Sequence, residues 1–229
     1  MPALNRPSSS PVARRCALTL AAVAALLQAS AAGAAVKAAR VKPPIALAAP
    51  KNLEAAVAAV EKATGAKSAP LQLGGIVIPA AEGRSFAIEG KVATRLLEGS
   101  HGPFLKAGFY LFRYERSFGM AGAHDHVGLL ATTDVAEVVR KVGTHDGVTN
   151  RTTDEIVAWL GALQQEEPFY LTEAGEDYVA GLFKVAPKDP AAVARRCAAF
   201  APELVKGSGS AIDLLTEEIR TSRTLYLIW

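Results

Sequence analysis

All four histidines of the chain fall between positions 101 and 145. Two of them make the sharpest local feature, His124-Asp125-His126. On a β-strand, residues i and i+2 share a face, so these imidazoles have the spacing to grip one Zn²⁺ or Cu²⁺ ion. A catalytic zinc needs a third protein ligand. His145, Asp146, His101 or Glu115 would supply it if the fold brings one near. The competing reading is a polar hairpin that happens to hold two histidines. A second candidate is Gly207-Ser208-Gly209-Ser210, which opens a helical pattern. Backbone N–H groups at a helix start can hold an anion, although an ordinary serine cap has the same sequence. Glu166-Glu167, Glu173 and Glu176-Asp177 surround two strands. Paired carboxylates do acid/base work when one is buried, whereas at a helix end and in a turn solvated charge is expected. Ser100-His101 lacks a nucleophile elbow, and neither a phosphate-binding loop nor a dinucleotide fingerprint occurs. Cys197 stands beside Ala198, Ala199 and Phe200 in a helical pattern, which fits a small buried hydrophobe. No catalytic residue follows from these patterns.

The elements that must position these groups are clearest in the second half. Asn52 is placed to cap a helix with Leu53, Ala56, Val57 and Val60 on one face, ended by Gly65. Residues 71–78 read as a strand with a bulge or turn at Gly74-Gly75, with 85–89 as its hairpin partner, and 91–97 as a short helix closed by Gly99. Residues 108–116 and 126–132 predict a hairpin. The first of these strands is apolar on both faces, which favours a central, doubly buried strand over an aromatic binding platform. Asp134 caps a helix through Val142. Thr152 and Glu155 form a capping-box pattern, and Pro168 stops the helix they open. Strands at 169–172 and 178–185 follow, then a helix entered by Asp189-Pro190. A helix from Ser210 to about Ser222 and a strand at 224–229 end the chain. This order of helix, strand, strand, helix, helix, strand predicts an α+β fold with an antiparallel or mixed sheet carrying helices.

The leader sets the expected compartment. Arg14-Arg15 precede a 12-residue apolar run at 16–27, followed by Ala29-Ser30-Ala31 and Ala32-Gly33-Ala34. That is the layout of a bacterial secretory signal over residues 1–34, and the run is shorter than the ~20 residues a membrane span needs. The expected location is periplasmic or secreted, with an N-terminal inner-membrane anchor as the alternative. Residues 35–51 read as an Ala/Pro/Lys linker. An N-terminal part at 52–143 and a C-terminal part at 144–229 follow, or one continuous domain at 52–229. The chain holds 25 Lys and Arg against 22 Asp and Glu. Its first 34 residues contain three of the arginines and no acid, so the remainder carries 22 of each. A balanced chain with no basic stripe argues against nucleic acid as partner. Removal of the leader leaves Cys197 as the single cysteine, so no internal disulfide is expected.

The second half also carries a run of short motifs. Gly143-Thr144, Asn150, Thr153-Asp154-Glu155-Ile156 and Pro168-Phe169 come first. Pro187-Lys188-Asp189-Pro190, Pro202-Glu203-Leu204-Val205, Gly207-Ser208-Gly209 and Leu225-Tyr226-Leu227-Ile228-Trp229 complete it. In order and spacing this resembles a bacterial family known as domain of unknown function 4253, from about Phe109 to Trp229. The family's Cys-Pro-Asp before the glycine loop stands here as Ala201-Pro202-Glu203, and its usual Trp-Trp-Asp ending stands as Ile228-Trp229. The resemblance implies a domain and no mechanism. The expected function is a non-enzymatic binding or interaction domain with a protein or envelope component as partner. The alternative is a metal-binding protein or metal-dependent enzyme built on His124 and His126. No cofactor is expected outside that divalent metal.

Overall fold

Five of the described α-helices begin where a side chain accepts a hydrogen bond from a first-turn N–H. In the computed structural model, which describes residues 42–118, 120, 122–206 and 210–229, Asn52 Oδ1 accepts from Ala55 N at 2.9 Å and starts α1 (Leu53–Thr64). Gly65 ends it in the left-handed conformation at φ 77°. Asp134 starts α3 (Val135–Val142), Asp189 with Pro190 starts α5 (Pro190–Phe200), and the Thr152–Glu155 capping box forms at α4 (Thr153–Glu166). The remaining helices are α2 (Gly90–Lys106) and α6 (Ala211–Ser222), with a 3₁₀ turn at Pro202–Val205.

Among the described residues there are nine strands: β1 (Ser68–Ala69), β2 (Gln72–Leu73), β3 (Ile76–Val77), β4 (Gly83–Ile88), β5 (Tyr110–Glu115), β6 (Asp125–Leu130), β7 (Phe169–Ala174), β8 (Tyr178–Phe183) and β9 (Thr224–Ile228). Seven form one sheet in the order β1-β4-β6-β5-β7-β8-β9. Every neighbour is antiparallel except β5 and β7, which run parallel with Arg113 opposite Glu173. The sheet is therefore mixed and the fold α+β, with the C-terminal order expected from the sequence. Lys42–Trp229 make one unit, and β5 lies between β6 and β7, so the sheet runs unbroken across position 143.

Alternation along β5 assigns the two cores. Tyr110 and Phe112 enter the larger one with the apolar faces of α3, α4, α5 and α6, including Val138, Ile156, Cys197 and Ile219. Leu111 enters the other, with Ala56 and Val60 of α1, Leu96 and Phe104 of α2, and Phe86, Val127 and Leu129 of the sheet. The doubly buried strand inferred from the aromatic run is thus present. Four valines make α3 a weak helix former on propensity alone; burial of Val138, Val139 and Val142 against the sheet compensates.

Three local expectations give way to tertiary packing. The 91–97 helix does not stop at Gly99; α2 continues through Gly99, Gly102 and Pro103 to Lys106 because Leu96, Ser100, His101 and Phe104 share its buried face. Strand β4 pairs with β1 and β6, while the 71–78 stretch folds back on itself as the β2–β3 hairpin. The stretch at 42–50, within the expected linker, lies along α2. Ile45 N donates to Arg95 O, and Ser100 Oγ donates to Ile45 O at 2.7 Å while accepting from Leu47 N. Gly99 makes this possible, since a Cβ there would sit 2.4 Å from Ile45 O. Gly99→Ala is expected to push the strap off α2, cost about 1–3 kcal/mol and open the 42–50 stretch to proteases. Unchanged resistance to proteolysis would show that the strap is not held at that point.

Candidate functional site

The parallel pair β5–β7 carries the most unusual chemistry in the molecule. Arg113 points to the α1–α2 side of a strand at the centre of the sheet and is 3% exposed. An arginine there must meet acceptors for its donors. Its Nη1 donates to Glu173 Oε1 at 2.9 Å, and its Nη2 donates to Thr94 Oγ1 at 2.8 Å. Its Nε lies 3.0 Å from Asp125 Oδ2, off the hydrogen-bond line, so that contact is ionic. Asp125 Oδ1 accepts from both Ser117 N and Ser117 Oγ. The carboxylate also approaches the first residue of α2, where a Cβ on Gly90 would lie 3.2 Å from Oδ2. The positive end of the helix dipole faces that carboxylate. Arg116 grips Glu173 with Nε at 2.9 Å and with Nη2. Burial pulls the Arg116 guanidinium down, but its bonds to Glu173 outweigh that and hold it above the ordinary arginine range.

Two arginines and two carboxylates thus neutralise one another. They join β5, β6, β7 and α2 at one end of the sheet. Glu173 had the look of solvated turn charge in the sequence. The register shift between Leu171 and Glu173 turns its side chain toward Arg113 instead. The signal that was available is Arg113 itself, since a charge on a doubly buried strand demands a buried counter-charge. Glu166, by contrast, is exposed and paired with Arg196, and Glu176 and Asp177 occupy the exposed β7–β8 turn.

Beside this cluster stand Tyr178 and Tyr226, with ring centroids 6.4 Å apart. Burial raises both phenols, Tyr226 to about 12. The Tyr178 hydroxyl is buried with no hydrogen-bond partner among the described residues. A Cβ on Gly175 would strike its ring, so the turn needs glycine there.

The histidines divide. His126 is half-buried in β6, opposite Glu115 in register, and its ring lies 5.8 Å from that of Tyr114. His124 is exposed and precedes the strand. His145 N donates to Glu176 O beside the β7–β8 turn, and Asp146 turns inward to accept from Val148 N, Thr149 N and Arg151. His101 is buried within the fold, between the rings of Tyr110 and Tyr170. Its Nδ1 is 3.0 Å from Leu111 O and must donate, because a carbonyl only accepts. Burial lowers its pKa to about 4, and its Nε2 has no described partner. Among the described residues, no group of three or more His, Cys, Asp or Glu side chains is placed to hold a metal ion. Cys197 is fully buried, which raises its thiol to about 12. Gly207, Ser208 and Gly209 of the anion-site candidate lie outside the described residues, as does the leader at 1–34; Ser210 precedes α6. Among the described residues no helix is long and apolar enough to cross a membrane.

The fold defines a two-cored α+β protein whose central strands are joined by a buried, self-neutralising ion cluster. Residues 126–229 match the family model described as "Domain of unknown function (DUF4253)". The match begins inside β6 and includes β7, β8 and β9, whereas β5, which joins β6 to β7, lies before it. Arg113, Arg116 and Asp125 also precede the match, and Glu173 lies within it. No curated protein and no solved structure matches the chain.

Proposed function

We propose that this protein is an exported, non-enzymatic binding domain that takes a protein partner by adding a strand at β9. The observation that carries the reading is the state of the sheet edges. An edge strand displays unpaired N–H and C=O groups, and proteins usually blunt it by shortness, proline, bulges or charge. The β1 edge is two residues long and runs into Pro70. The β9 edge, Thr224-Leu225-Tyr226-Leu227-Ile228, has no proline, no charged residue and no register shift against β8. Trp229 N donates to Asp177 O, and Phe183 N donates to Arg223 O, so the odd-numbered residues face β8. Thr224, Tyr226 and Ile228 therefore direct their backbone groups outward.

The chemistry elsewhere agrees. Arg113, Asp125 and Glu173 satisfy one another, leaving no free acid, base or nucleophile among them. Export rests on the Arg14-Arg15 leader pattern and the Ala-x-Ala exits behind it. Amide hydrogen exchange on the isotope-labelled full chain tests the binding reading. The amides of 224, 226 and 228 should gain protection either with rising protein concentration in buffer or on addition of concentrated extract of the producing cell. Free exchange at these three positions under both conditions would overturn it.

A further inference from the structure

We infer that the strand added at β9 is β9 of a second copy, so that the protein is a two-fold dimer with one continuous sheet across both chains; this rests on the strand-addition reading. A strand can pair with its own copy when an antiparallel two-fold axis brings outward groups against outward groups. An axis at Tyr226 does so. It sets Tyr226 opposite its own copy and Thr224 opposite Ile228 of the other chain. All three outward residues then become hydrogen-bonded pairs, and the residues facing β8 keep their existing bonds.

Charge favours the same arrangement. One end of the β8–β9 pair is basic: exposed Arg223 precedes β9, its Nη1 donates to Lys184 O at 3.2 Å, and Lys184 is itself exposed at the end of β8. The other end is acidic, because Glu176 and Asp177 form the turn that pairs with Trp229. Antiparallel pairing about Tyr226 lays the basic end of each copy against the acidic end of the other. Arg223 falls opposite Trp229 of the second chain. Asp177 of that chain is one strand further in, about 10 Å away at a strand spacing of ~4.8 Å, within reach of an arginine side chain. A parallel or shifted pairing would lose this match.

The side chains suit a buried seam as well. Thr224, Tyr226 and Ile228 are half-buried on the face that α1 and α2 leave uncovered, level with Tyr178 and Leu182 of β8. They carry no charge that would have to be desolvated between two copies.

Sedimentation velocity on the full chain between about 1 and 100 μM tests the inference, with a dimer expected at the upper concentration, in the range typical of modest interfaces. Tyr226→Pro deletes one outward N–H while leaving the β8-facing bonds, a position where an edge strand tolerates proline. It should weaken dimerisation at least tenfold with the thermal midpoint little changed, and Tyr226→Val should still dimerise. Arg223→Glu and Asp177→Lys should each weaken self-association, and an equimolar mixture of the two should recover it, because the mixed dimer restores opposite charges at both ends. A monomer at 100 μM, a dimer indifferent to Tyr226→Pro, or a mixture no better than either variant would overturn the second copy as partner. If the chain stays monomeric while 224, 226 and 228 gain protection only in cell extract, the dimer falls and strand addition to another protein stands. Free exchange under both conditions removes both.

Discussion

Replacing Arg113 with methionine is expected to lower the unfolding free energy by about 3–5 kcal/mol, as removal of one member of a buried ion network does. Methionine keeps most of the aliphatic stem but leaves Asp125 and Glu173 buried without the cation between them. Glu173 retains Arg116, and Asp125 retains the two donors of Ser117. The loss therefore reflects two carboxylates that are partly, not wholly, compensated. Arg116→Met should cost less, because that guanidinium is 29% exposed and its departure leaves Glu173 with Arg113. Urea unfolding at pH 7, extrapolated to water, measures both variants. A loss below about 1 kcal/mol for Arg113→Met would mean that the carboxylates find other partners, and that packing alone keeps β5 between β6 and β7.

Acid should weaken the fold through His101. In the folded chain burial holds this imidazole near pKa 4, while an unfolded histidine titrates near 6.5. Between those values the unfolded chain binds a proton that the folded chain refuses. Stability contributed by the neutral ring is whole above pH 6.5, falls as pH drops through the interval and levels off below 4. The 3% exposure of the residue leaves little solvent screening, and the full loss is about 3 kcal/mol. His101→Gln keeps an N–H for Leu111 O but does not titrate in this range. The variant should start less stable because the packing against Tyr110 and Tyr170 changes, yet lose less between pH 6.5 and 4. Carboxylates held low, such as Asp146 with its Thr149, Val148 and Arg151 partners, also favour the fold at higher pH. The test is therefore the difference between the two pH profiles. Parallel profiles would remove His101 from the account.

Much of the secondary structure was legible because its determinants are local. Asn52, Asp134, Thr152 with Glu155, and Asp189-Pro190 mark helix starts through hydrogen bonds to residues two or three positions away. The aromatic run from Phe109 announced a doubly buried strand by its lack of a polar face. Gly99 did not end the helix, nor did Pro103 beyond it, for a physical reason. A helix breaker costs on the order of 1–3 kcal/mol, and burying Leu96, His101 and Phe104 on one face of α2 outweighs it. The candidate sites fared less evenly. His124-Asp125-His126 drew attention for its outer members, yet in the fold the buried aspartate between them makes the ion pair with Arg113.

The sequence by itself determined the helix and strand order of the C-terminal half, the α+β class, the burial of Cys197 and the resemblance of the second half to a family that the match at 126–229 supports. Beyond the β5–β6 hairpin, tertiary structure alone decided which strands share the sheet as neighbours, that β5 and β7 run parallel, and that Arg113 meets an acid 60 positions away. It also decided that β9 is an edge. The physical reason is the range of the interactions. Caps, turns and periodicity act over a few residues, and their signals lie side by side in the chain. Strand pairing and buried charge pairing join residues that sequence separates, and only the assembled sheet shows which strand ends up at its edge.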